Sequence, residues 1–396
     1  VTMSAETLAA VADLLDDRSH HIEFNGHLTN HVKHAVIALA ALGAPESLIR
    51  DYHKNYAQLT AYGYPLEPAR PPARSIDAGS WREFLGQRVH FAAYTAFFDT
   101  EVARLGIAGA VLEYAPELLR GWIGAFTHAT IHLGWAVWAD HPGMTAEALA
   151  YLAFSFVPVA DETRRGADTA AGPWDSLLAL ATAHAGDEDF RTAVRTIIGD
   201  TDTVTGLHPE LGRSGLQARV AAVARSGLPQ LAGTGRWAAG LDPGVRRAAV
   251  RRAVTRLYLA EPGDFVVLHL ITSLFALEEL ARVLADESAT ARLYDLYWAG
   301  LRVIVAAERK IPAPEKLRAL ADLYETPGGD RTDHATAEFE FAARRSWLED
   351  EEHNPKLVFV LRQWWNEQDW NAYRHAAAQF TRTPDLPPSF AEPPTE

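Results

Sequence analysis

The chain contains no cysteine and only 2 methionines among 396 residues. The missing cysteine excludes disulfides, thiolate-held zinc, iron–sulfur clusters and a thiol nucleophile, so any metal has to be held by histidine, carboxylate or a less usual group. Positive charge is scarce as well. Lys and Arg number 37 against 51 Asp and Glu, and the net charge of -14 argues against a nucleic-acid partner or an anionic membrane surface. The one dense basic run, RRAAVRRAVTR at 246–256, is expected to be the solvated stripe of a helix rather than a phosphate site. Long apolar runs are missing too. FVVLHLITSLFAL at 265–277 is interrupted by His269, Thr272 and Ser273, and its 13 residues fall short of the roughly 20 that a bilayer span requires. The N-terminal segment VTMSAETLAAVADLLDD has no basic stretch followed by an apolar block, so no signal peptide and a cytoplasmic location are expected. A GxGxxG after a strand, a GxxxxGK[ST] loop and a GxSxG elbow are all absent, which argues against an internal dinucleotide site.

Alternating β-branched runs are nearly absent, whereas helix signals dominate, so the expected fold class is all-α. Helices are expected near 4–17, 27–42, 45–60, 80–105, 116–139, 145–156, 173–184, 208–225, 243–283, 286–309, 314–324, 335–348 and 355–380. SWRE at 80–83 reads as a capping box, Pro116 suits a first helical turn, and LGA at 42–44 should stop the helix that begins near His27. Proline and glycine cluster at 64–79, 226–244 and 326–333. One compact multi-helix domain over 1–396 is expected, with a loose lobe boundary near 226–244 and an irregular tail, PDLPPSFAEPPTE.

The 16 histidines are unevenly placed. His27 and His31, and likewise His128 and His132, lie four residues apart, which would put each pair on one helical face. Such pairs serve either as metal ligands or as exposed or hydrogen-bonded side chains. His269 sits in a segment apolar on every face, where an imidazole is buried and needs partners for both nitrogens, as a core residue or as a ligand. A ferritin-like di-iron site is excluded, since no histidine has Glu three residues before it.

EEHNPKLVFVLRQWW places Asn354 as an N-cap, Pro355 at the first helical position and Lys356 in the first turn. The helix dipole disfavours an ammonium there by up to about 1 kcal/mol, and the apolar run that follows suggests burial. A neutral amine so placed can add CO2 to give a carbamate, a carboxylate-like anion that the same dipole favours. The alternative is a surface lysine snorkelling from a frayed turn. His353 precedes it by three residues.

FNGHLTNHVKHAVIALAALGAP, THATIHLGWAVWA followed by AEALAYLAFSF, VVLHLITSLFAL and EEHNPKLVFVLRQ occur in one order across most of the chain. In these segments the sequence resembles the questin oxidase-like family of polyketide-tailoring oxygenases. The resemblance implies an all-helical oxygenase that opens or cleaves a ring of an anthraquinone-like aromatic polyketide with O2. It further implies non-haem Fe(II) held by several histidines and a carboxylated lysine. Carried onto this chain, His27 or His31, His132, His269 and His353 become ligand candidates, with His128 secondary, and Lys356 matches the modified lysine. Trp135, Trp138, Phe154 and Phe156 are candidates for a slot that takes a flat aromatic substrate, although their spacing also fits core packing. Two competing readings are an NADPH-dependent Baeyer–Villiger type monooxygenase without bound metal, with NADPH as an external reductant, and a non-catalytic helical carrier of an aromatic ligand.

Overall fold

The computed structural model describes residues 5–159, 166–167, 170–200, 202, 211, 214–231, 233–234, 237–325 and 328–383. Their order is α1 (Ala5–Asp16), β1 (Glu23–Phe24), β2 (Leu28–Thr29), α2 (Val32–Ala41), α3 (Glu46–Gln58), α4 (Phe91–Leu118), α5 (His128–Trp138), α6 (Pro142–Phe154), β3 (Gly166–Ala167), α7 (Pro173–Gly186) and α8 (Glu188–Gly199). There follow α9 (Gly215–Ser226), β4 (Gly233–Thr234), α10 (Trp237–Gly240), α11 (Pro243–Ala260), α12 (Phe265–Leu284), α13 (Glu287–Ala307), α14 (Pro314–Leu323), α15 (Asp333–Ser346), α16 (His353–Glu367) and α17 (Asn371–Ala377). The fold is all-α, as expected. The strands are two-residue pairs, β1 antiparallel to β2 and β3 parallel to β4. No described helix is long and apolar enough to cross a membrane.

The described residues fall into two units. The first draws on Val1–Ala69, Val254–Thr272 and Glu315–Pro388, the second on Arg70–Ala253 and Ser273–Pro314. In the first unit the sequence VKHAVIALAA gives α2 no polar face, and every residue from Val32 to Ala40 is buried, between α1, α3 and α16. The predicted stop is present. Gly43 has φ +85°, its N–H bonds the Ala40 carbonyl, and the Ala44 N–H bonds the Leu39 carbonyl, which is a Schellman end. In the second unit α4 and α5 pack on α6, and α9 and α10 pack on α13. Gly134 of α5 faces α12 so closely that a Cβ there would sit 2.3 Å from Ala276 Cα.

Several expected boundaries are corrected. The helix expected from 27 begins at Val32, because Asn25 (φ 48°) and Gly26 (φ 80°) turn the chain between β1 and β2; His27 therefore lies in a hairpin turn, not on a helical face with His31. SWRE forms only a single 3-10 turn, Trp81–Phe84, since the Ser80 hydroxyl donates to Asp77 Oδ1 at 2.9 Å instead of capping. Pro116 lies inside α4, and left-handed backbone at Ala125, Phe126 and Thr127 separates α4 from α5. EPGD at 261–264 divides α11 from α12, where Gly263 has φ +76°.

The basic run is not a solvated stripe. Arg246 and Arg251 are buried, Arg251 in a two-pronged pair with Glu278 at 2.7–3.0 Å and Arg246 within 2.7 Å of Glu287. The start of the helix expected at 208–225 and the tail 384–396 lie outside the described residues.

Candidate metal centre

Two helix starts in the first unit build the site. His31 directly precedes α2, and its backbone N–H is bonded by Tyr56 Oη of α3 at 3.3 Å, so its side chain is not used for capping. The second start is that of α16, which begins at His353 rather than Pro355. Asn354 is not the N-cap, because its amide exchanges hydrogen bonds with Thr381; Glu351 Oε1 supplies the capping oxygen by accepting the His353 N–H at 3.2 Å. Lys356 is then the fourth helical residue, still in the first turn. Like Glu352, His353 and Asn354, it is wholly excluded from solvent.

The side chains converge. Lys356 Nζ lies 2.7 Å from His31 Nδ1. The His31 and His353 rings are 4.6 Å apart, and the His353 and His269 rings 4.8 Å. Phe265 flanks both His269 and His353, at 4.5 and 4.8 Å. Glu352 Oε1 is 4.0 Å from His31 Nε2 and 3.9 Å from His353 Nδ1, and Tyr56 Oη reaches it at 3.5 Å. Glu352 Oε2 has no hydrogen-bond partner among the described residues. His353 Nδ1 is in close contact with Glu351 Oε1, and one donor atom each from Glu351, Glu352 and His353 fall within 4.8 Å of one another.

The electrostatics follow from burial. Desolvation pushes the Lys356 ammonium down from the ordinary lysine range, against the pull of the Glu352 and Glu351 carboxylates. Desolvation also pushes Glu352 well above the carboxylate range, with Glu351 adding to the rise, and Glu351 itself is raised by burial. Enclosed carboxylates beside imidazoles and an amine are costly without a cation.

The donor set fits a transition metal. His269 Nδ1 lies 2.7 Å from the Phe265 carbonyl, which can only accept, so Nδ1 carries the proton and Nε2 the lone pair. His353 makes the corresponding contact from Nδ1 to Glu351. Metal-binding imidazoles are commonly anchored in this way.

The structure thus brings together His31, His269, His353 and Lys356 of the sequence-derived candidates, and leaves His27 in the hairpin turn. In the second unit, His128 and His132 do lie one turn apart on α5. His128 Nδ1 contacts the Ala125 carbonyl at 2.5 Å and His132 Nε2 contacts Glu147 at 2.9 Å. Trp135 is buried edge-on against Phe275, and Phe154 packs on Phe91 and Tyr151. Trp138 and Phe156 are half-buried, Phe156 against Gly121. Sequence reasoning missed Glu351, Glu352, Tyr56 and Glu147. The first two were visible as the EE before His353, in the place where a helix N-terminus favours anions.

An all-helical chain with an enclosed histidine, carboxylate and amine cluster is the class that fold and site define. The chain belongs to the questin oxidase-like family, whose model matches residues 28–361. It is 32% identical over 162 residues to a Baeyer-Villiger oxidase of Paecilomyces divaricatus, covering 37% of this chain and 34% of the relative. It is 30% identical over 234 residues to a Baeyer-Villiger oxidase of Pestalotiopsis microspora, covering 52% and 51%. It is 27% identical over 199 residues to the questin oxidase of Aspergillus fumigatus, covering 46% and 44%. The chain thus spans about a third to a half of the length of these curated relatives.

Proposed function

We propose that this chain is an oxidoreductase, a non-haem iron-dependent oxygenase that uses O2 to open or cleave a ring of an anthraquinone-like aromatic polyketide. The observation that carries the reading is the enclosed cluster in which Lys356 Nζ meets His31 Nδ1 beside His353 and Glu352. His31, His353 and Lys356 as its carbamate are the proposed ligands, with His269 next to them and Glu352 as a further oxygen donor. Ferrous iron in such a set of imidazoles and anionic oxygen would supply one-electron chemistry with O2. In the second unit His132 and, secondarily, His128 remain donor candidates in their own right, and Trp135, Trp138, Phe154 and Phe156 remain the proposed aromatic lining.

The chain's own groups account for the modification of the lysine. Burial favours the neutral amine, whose lone pair adds to CO2 as a C–O π bond opens to an anionic oxygen; the amine's proton passes to His31 Nδ1, and His31 gives up its Nε2 proton to solvent, which frees Nε2 as a donor. The helix N-terminus and a bound metal would together offset the cost of enclosing that anion. Enclosure also keeps bulk water from the reacting atoms.

Protein purified without chelator should contain about one iron per chain and consume O2 with an anthraquinone substrate. The relatives named as Baeyer-Villiger oxidases favour oxygen insertion; a second reading joins that chemistry to external NADPH and no bound metal. Iron-free protein that consumes O2 and NADPH with substrate would establish that reading instead. Tight aromatic binding without O2 uptake would leave the carrier.

A further inference from the structure

The carboxylate of Glu351 is held from two sides. Oε1 accepts the His353 N–H at 3.2 Å and is in close contact with His353 Nδ1, while Oε2 accepts the Thr383 hydroxyl. Thr383 ends a short segment after α17 that is fastened along its length. The Tyr258 hydroxyl donates to the Gln379 carbonyl, and the Phe380 ring lies 4.0 Å under the Arg345 guanidinium. The Phe380 carbonyl passes over Gly263 so closely that a Cβ there would sit 2.9 Å from it. Thr381 and Asn354 bond each other in both directions, Thr381 N–H to Asn354 Oδ1 at 2.9 Å and Asn354 Nδ2 to the Thr381 carbonyl at 3.1 Å.

His353 is therefore bracketed. The residue after it is tied to Thr381, and the carboxylate two residues before it is tied to Thr383. The family match ends at residue 361, so residues 379–383 lie beyond the matched region while their partners lie within it.

We propose that Gln379–Thr383 is a positioning strap for the metal centre: Thr383 orients Glu351, and Glu351 fixes the ring plane and tautomer of His353. The strap acts through His353 and touches neither metal nor substrate. Because Glu351 Oε1 already accepts a backbone N–H, the imidazole contact is a donation from Nδ1–H, which leaves the lone pair on Nε2. Without the Thr383 hydroxyl the carboxylate has one anchor fewer, and its hold on the imidazole is looser. The inference rests on the iron reading above.

The test uses the full chain in four variants, Thr383→Val, Thr383→Ser, Glu351→Gln and His353→Ala. One readout is the rate at which Fe(II) passes from the loaded protein to a coloured chelator. The other is the histidine tautomer in metal-free protein, from long-range 15N–1H correlation spectra. In the wild type, His353 should carry its proton on Nδ1. Thr383→Val and Glu351→Gln should speed iron loss by about 10–100-fold and perturb the His353 nitrogen shifts, with helicity intact. Thr383→Ser should behave as wild type. If Thr383→Val and Glu351→Gln hold iron and keep the His353 shifts of wild type while His353→Ala loses iron, the strap is overturned and the iron reading stands. If His353→Ala retains iron, His353 is no ligand, and the iron reading at this residue falls together with the strap.

Discussion

Lys356 Nζ and His31 Nδ1 are 2.7 Å apart, and both are buried although most of the chain separates them in sequence. Two cations cannot share that contact inside a protein. Either the amine or the imidazole is neutral, and burial pushes Lys356 toward neutrality.

Lys356→Ala should lower iron occupancy strongly while leaving helicity near that of wild type. Acetate or propionate in the millimolar range should restore part of it by standing in for the carbamate. Elemental analysis of dialysed protein checks both effects. Full iron in the variant without added carboxylate would remove Lys356 from the ligand set.

The depressed Lys356 also sets a pH dependence. Between its lowered value and the ordinary lysine range, the native state has released a proton that the unfolded chain still holds. Unfolded protein then binds more protons, so stability rises with pH across that window. Metal-free wild type should show this rise in its urea midpoint from about pH 8 up to the ordinary lysine range, and Lys356→Met should lack it. Parallel curves for the two proteins would contradict the assignment.

The helix end at Leu42–Gly43–Ala44 was legible, where an apolar helix meets a stop signal, whereas the EPGD break at 261–264 was not. Helix starts were misread where a local side-chain bond competed. Ser80 went to Asp77 and not to a cap, and Asn354 went to Thr381, which moved the start of α16 to His353. His269 could be picked out as a polar residue in apolar surroundings, His31 by its spacing from His27, Lys356 by its place in a first helical turn, and His353 through the family resemblance. Glu351 and Glu352 were overlooked because a pair of glutamates before a helix normally reads as solvated N-terminal charge; only the packing of α16 against α2 shows them enclosed. The buried Arg251 was misjudged for the same reason, its partner Glu278 lying on another helix.

Trp138 should report an aromatic ligand. It is half-buried, whereas Trp135 is sealed against Phe275. An anthraquinone should quench tryptophan fluorescence, and the quenching should shrink in Trp138→Ala. Identical quenching in the two proteins would place the ligand elsewhere.

Arg251→Ala should destabilise the protein by about 3–5 kcal/mol, since it leaves Glu278 buried without its guanidinium. The double change Arg251→Met with Glu278→Leu should recover much of that loss. Urea unfolding monitored by circular dichroism measures both. A loss below about 1 kcal/mol for Arg251→Ala would mean the pair is better hydrated than its burial indicates.

The contact between Gly134 and Ala276 bears on how the chain is made. At roughly 5–20 residues per second, the ribosome delivers residue 276 about 7–28 seconds after residue 134. During that interval the face of α5 that carries Trp135 has no α12 to cover it. The nascent chain therefore passes through a stage with an open apolar seam. Expression yield should be sensitive to chaperone supply and translation speed, even for variants whose finished fold is as stable as wild type.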